Sequence, residues 1–398
     1  MFTPYLLMVL FFLSMGFLGA LGAGLTSAGW MAWFNGLPWL RVHFITVGVL
    51  LELAFGALPF LARAHDGEAP RMRWDIWLAL NAGLLLLLIG IPLVNPSLLI
   101  SGGALIFAAA TLLLLQLGQG WGLTFGRLII RSGRNFYMAA LLYLLLGVFL
   151  GSGLWLGWGQ SLGIANPKEV HVHSNLWGFT ALLFAGLLVD LHPRIGQRPA
   201  VWTHSTTAIF WAMALGALGL VIGPWIQLNA LTAAGLLLHT AGTLLLLVTV
   251  VRSRQQDWTA GHWHLVSAYV WFLLPVVVAP LIVANVDRLA VQNVEQSGAP
   301  ILIYGWILPV TYALIPYLVT RLHDPDRPAP LGGNRLSLST IHAGGIAYAL
   351  SLFLGVQTGL LQALAFSLWA VSMLPALRNL WQLLARRAAR QPAARTLI

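Results

Sequence analysis

The chain has 398 residues, 59% of them hydrophobic and only 8% charged, with a mean hydropathy of +0.83 and a net charge of +10. A soluble domain carries about 25% charged residues, so the composition excludes a soluble fold, and basic residues scattered between apolar segments exclude a nucleic-acid-binding face. The chain has no cysteine, which excludes disulfides, iron–sulfur clusters, covalently attached haem and thiolate-bound copper, and leaves imidazole as the main ligand for any redox metal.

Apolar runs long enough to cross a bilayer fall at about 4–26, 38–62, 74–94, 97–119, 137–158, 169–191, 201–222, 226–251, 260–285, 300–321, 337–357 and 359–382. No strand pattern competes, and backbone in lipid must bond within its own segment, so all twelve are expected to be helices. They leave no room for a separate soluble domain, so 1–398 reads as a single polytopic membrane domain. The first run has small residues near Ala20 and Ala23, as a signal peptide does, but lacks a basic head and is taken as the first span. Of the 21 Lys and Arg, all but Arg41, Lys168 and Arg288 follow even-numbered spans or close the chain. By the positive-inside rule both termini are then cytoplasmic, in a bacterial or archaeal-type inner membrane.

Span two opens with Leu40-Arg41-Val42-His43, and Glu52 follows nine residues later, about 13 Å deeper at 1.5 Å per residue. A carboxyl in mid-membrane is a functional candidate by default, here as a catalytic group; a protonated Glu bonded to a neighbouring helix is the alternative. Span six opens with His171 and His173 at the depth of His43. Residues two apart on a helix differ by about 200°, so this H-x-H pair can serve two centres, one on each flank. Span nine has a second pair, His262 and His264, near the cytoplasmic face, and span eleven brings His342 level with it. The expectation is an outer cluster of His43, His171 and His173 and an inner one of His262, His264 and His342. His239 lies near the middle of span eight, and His65, His192, His204 and His323 fall at span ends.

Imidazoles on facing membrane helices suit haem: two give a low-spin electron-transfer haem, and one gives a haem with an open position for a gas. Copper and zinc also take imidazole, and His239 with His342 would be the ligands for such a metal. An apolar setting favours the macrocycle, and His43, His171, His173, His262 and His264 are the candidate haem ligands.

These residues resemble the catalytic subunit of the haem–copper oxidase superfamily, especially C-family oxidases and their nitric oxide reductase relatives. The carriers are Leu40-Arg41-Val42-His43 and the stretch H-V-H-S-N-L-W-G-F to L-H-P-R at 171–194. The resemblance implies a twelve-helix bundle with both termini inside. It also implies a low-spin haem on His43 and His173 and a high-spin haem on His171. The phrase from Asp257 to His264 also matches the family, but the arginines orient span nine oppositely, so span six is preferred. The chain has no adjacent His-His pair, which the family's copper site uses. It is also similar to NnrS-type haem- and copper-containing proteins of nitric oxide stress, without their W-H-x-H-E-M phrase.

The expected function is a haem-dependent oxidoreductase that reduces or binds nitric oxide or oxygen. Its two non-covalent haems would draw electrons from an external cytochrome, cupredoxin or quinol. The bilayer is the other partner, further subunits stay open, and nucleic acid is excluded. A transmembrane electron conduit with bis-His haems is the second reading, and a metal or solute transporter the third.

Overall fold

The computed structural model describes residues 3–32, 34, 36–63, 72–119, 130, 132–195, 203–252, 258–283, 297–323, 329–354 and 357–390. Asp257 and His65, named above, and Arg71, Arg127, Arg131, Arg198, Arg254, Arg288, Arg327 and Arg395, counted among the basic residues, lie outside them. The described residues contain helices and no strand.

In chain order the long helices are α1 (Thr3–Ser27), α2 (Leu37–Leu61), α3 (Trp74–Gly90), α4 (Pro96–Gly118), α5 (Arg134–Leu156) and α6 (Pro167–Leu191). They continue as α7 (Ser205–Trp225), α8 (Asn229–Arg252), α9 (Ala260–Pro280), α10 (Ala299–Leu322), α11 (Arg335–Leu354) and α12 (Thr358–Arg386). Eleven are long and apolar enough to span a membrane. The remaining one, α3, has 17 residues, about 25 Å, somewhat short of a hydrocarbon core of about 30 Å. The chain is thus an all-α multi-pass membrane protein, with a helix at each expected apolar run.

The residues form two compact units, one of 1–57 with 258–398 and one of 58–257. In the first, α1 packs on α12 where a β-carbon on Gly24 would meet Ser367 at 3.1 Å. In the second, α7 and α8 approach backbone to backbone: a β-carbon on Gly219 would lie 2.9 Å from the Gly235 Cα. Small residues permit this contact between membrane helices, where van der Waals packing replaces the hydrophobic drive.

A recurring device marks α2, α6 and α10, the three most buried spans at 67%, 78% and 94% against at most 56% elsewhere. Each switches from α to π geometry after its first turns, over Phe44–Leu50, Ser174–Thr180 and Ile303–Ile307. Each π segment has a glycine facing an aromatic ring of another helix of its own unit. A β-carbon would lie 2.5 Å from Phe12 at Gly48, 2.4 Å from Tyr143 at Gly178 and 2.7 Å from Trp271 at Gly305. Widening the turn leaves some carbonyls without their regular i+4 amide, and side chains supply extra donors. In α2, Thr46 donates to the Val42 carbonyl at 3.1 Å and Tyr304 donates to that of Arg41. In α6, Asn175 donates to the His171 carbonyl and Thr180 to the Asn175 carbonyl, both at 2.8 Å.

Candidate functional site

The second unit builds its candidate site around the start of α6. Pro167 at the first helical positions and Glu169 in the first turn start the helix where amides lack partners and negative charge is favoured. His171 and His173 follow within two turns, and their rings diverge. His171 turns to α5, where its Nδ1 donates to the Gly147 carbonyl at 2.8 Å. Its ring occupies a notch left by Gly151, where a β-carbon would stand 2.7 Å from Cε1. His173 turns to α7, and its Nδ1 donates to the Leu220 carbonyl at 2.6 Å. A carbonyl can only accept, so both rings hold their proton on Nδ1. Among the described residues no hydrogen bond reaches either Nε2. An imidazole fixed through Nδ1–H on a carbonyl, with Nε2 left over, is the form a metal-ligating histidine takes.

Trp177 stands edge-on to the His173 ring at 5.1 Å between centroids. Its carbonyl lies in the π segment and accepts from Nε2 of His239 at 3.2 Å. Nδ1 of His239 is 3.4 Å from the Thr243 hydroxyl, and the ring is buried. His239 thus bonds through both nitrogens to protein groups and braces the backbone that bears His173.

His43 belongs to the first unit. Its Nδ1 donates to the Trp39 carbonyl at 2.8 Å, and its ring stacks on Trp39 at 3.7 Å between centroids. Glu52 follows the π segment of α2 and is the only fully buried carboxyl among the described residues. His262, His264 and His342 belong to the same unit. His262 closes a capping box with Thr259, whose hydroxyl is 2.8 Å from Nδ1, so this ring anchors the start of α9. His264 donates from Nδ1 to the Ala260 carbonyl at 2.6 Å, and its Nε2 lies 2.9 Å from the Ser337 hydroxyl. His342 accepts from the Trp271 indole on Nδ1 at 3.0 Å, which leaves Nε2 to donate to Ser267 at 2.8 Å. Both rings are engaged at each nitrogen, an arrangement that joins α9 to α11. The described residues contain no group of three or more His, Cys, Asp or Glu able to hold a metal ion.

Sequence reasoning missed Asp190, near the C-terminal end of α6. One oxygen accepts the Gly133 amide at 2.7 Å, just ahead of α5, and the other accepts the Tyr137 hydroxyl at 2.9 Å. The signal was a lone carboxyl closing an apolar run. Asp190→Ala leaves both donors without this acceptor, so we expect a loss of about 1–3 kcal/mol, read as a lower thermal midpoint in detergent. Asp190→Asn keeps one acceptor and should lose less.

Pro224 falls between the apolar runs 201–222 and 226–251. It lies inside α7, four residues beyond Leu220, the acceptor for His173. Comparison with protein-family models and with curated proteins gives no match to this chain, so the chemistry of its own residues carries the functional reading.

Proposed function

We propose that the chain is a haem-binding membrane oxidoreductase of haem–copper oxidase-like type, acting on a small gas, nitric oxide or oxygen. The observation that supports it is the H-x-H pair of α6. Two imidazoles two residues apart turn to different neighbouring helices, each with Nδ1–H on a carbonyl and Nε2 unbonded among the described residues. His171 and His173 would hold two separate haems, and His43 is a third imidazole with Nδ1 secured in the same way. Bound on such ligands, haem supplies one-electron redox chemistry and, where a single imidazole holds it, an open position for a gas.

The residues themselves orient and insulate. Gly147 and Leu220 fix the tautomers, Gly151 makes room for the His171 ring, and Trp177 walls His173. Glu52 is the proposed proton-handling carboxyl, since a buried ionisable group in a span marks a relay or pathway by default. In this reading His239, His262, His264 and His342 serve packing, because the nitrogens with assigned bonds are directed to protein groups. The electron donor would be an external cytochrome, cupredoxin or quinol, and the cytoplasmic placement of both termini follows from the arginine distribution.

The test is a reduced-minus-oxidised spectrum and a reduced-plus-carbon-monoxide spectrum of the purified protein, with metal analysis of the same sample. A low-spin signal together with a carbon-monoxide-binding haem is expected. Low-spin haem alone would replace the gas reaction with an electron conduit. A protein purified without haem would remove the reading and leave a histidine-rich transporter.

A further inference from the structure

The two imidazoles of the H-x-H pair are not given equal acceptors. A backbone carbonyl inside an α-helix normally receives the amide four residues on. For Gly147, the acceptor of His171, that residue is Gly151, which has an N–H. For Leu220, the acceptor of His173, it is Pro224, which has none and stands within the helix Thr203–Trp225. Proline there removes the competitor for one carbonyl, and that carbonyl is the one that faces His173. His43 and His264 resemble His171 in this respect. Their acceptors, Trp39 and Ala260, are four residues before the histidines themselves, whose own amides are the regular donors to those carbonyls.

We infer that Pro224 is a positioning residue for His173, reserving the Leu220 carbonyl for its Nδ1–H and so setting how strongly this imidazole donates to a bound iron. The inference rests on the reading of His173 as a haem ligand. A ligand imidazole whose N–H is held by a strong acceptor is the more basic one and stabilises the oxidised metal. The haem on His173 therefore has a lower reduction potential than it would with a shared acceptor, while the haem on His171 has no such device. One helix thus presents two ligands of different donor strength, as two haems with different roles require.

The experiment is an optical redox titration of the purified parent protein, Pro224→Ala, Pro224→Ser and a control, Pro375→Ala. Pro375 also stands inside a helix, and His171 and His173 bond to other carbonyls than the one four residues before it. Replacing an intrahelical proline favours the helix, so the variants should fold and load. In both Pro224 variants the restored amide shares the Leu220 carbonyl. The potential of the haem that depends on His173 should rise, that of the other haem should stay, and Pro375→Ala should match the parent. The inference is overturned if the Pro224 variants, fully loaded, titrate like the parent, if both haems shift together, or if the His173 haem is lost outright. A parent without haem overturns the ligand reading first and this inference with it, an outcome distinct from a loaded protein whose potentials ignore Pro224.

Discussion

Alanine at His173 is expected to abolish the low-spin haem signal and spare carbon monoxide binding, and alanine at His171 to do the reverse. That the two variants part follows from the divergence of the two rings, one fixed on α5 through Gly147 and the other on α7 through Leu220. Which signal each loses is what the resemblance to the oxidase superfamily implies. Losing a residue that would hold the haem should remove essentially all of the corresponding signal. Changes in the shell around it should cost less, roughly 10- to 100-fold in affinity. Gly151→Ala belongs to that milder class, because the added methyl would stand 2.7 Å from the His171 ring and displace it. His264→Ala is the useful contrast. Its ring nitrogens are directed to Ala260 and Ser337, so both haem signals should persist even if stability falls. Spectra of the four variants, normalised to protein, decide the matter. If His171→Ala and His173→Ala each lose both signals while remaining folded, the pair serves one centre and the assignment of two separate haems is wrong.

Much of the architecture was legible because membrane helices announce themselves by apolar length, and each expected run holds a helix. The divergence of His171 and His173 was legible too, since it needs only the angular period of an α-helix. Other features depend on backbone atoms brought from elsewhere. The π segments of α2, α6 and α10 have no periodicity of their own. What repeats is a glycine five residues after a histidine in two of them, Gly48 after His43 and Gly178 after His173, and a chance spacing would look the same. Sequence offers His239 as a metal ligand and could not show that its Nε2 lies on the Trp177 carbonyl. His262 occupies the third helical position after Thr259, where Glu or Gln is the usual capping-box residue, so its anchoring role was hidden by residue type. Pro224 lies between two apolar runs in the sequence, and its consequence is felt on a carbonyl one turn earlier and on a histidine 51 positions away.

Gly178→Ala should destabilise the second unit strongly. Its β-carbon would lie 2.4 Å from Cγ of Tyr143, well inside van der Waals contact. The ring cannot simply withdraw, because its hydroxyl donates to the Ala214 carbonyl at 2.8 Å. Overpacking of this kind costs about 1–3 kcal/mol, and a ring tethered at its far end places the site at the upper end of that range. Alanine's better helix propensity returns about 1 kcal/mol, so the net loss should be about 2 kcal/mol. Gly305→Ala meets a similar obstacle in Trp271, whose indole is tethered to His342 and pressed on its other side by Gly345. Phe12, opposite Gly48, has no polar tether, so Gly48→Ala should be the mildest of the three. Tyr143→Ala alone also destabilises, by opening a cavity, yet combined with Gly178→Ala it removes the clash. The two losses should therefore fall short of additivity by at least about 1 kcal/mol, the behaviour of residues in contact. Thermal unfolding of the single and double variants in one detergent measures that coupling. Strict additivity would mean that the π segment of α6 shifts freely away from α5. The Trp177 carbonyl, braced by His239 one residue before Gly178, argues against such freedom.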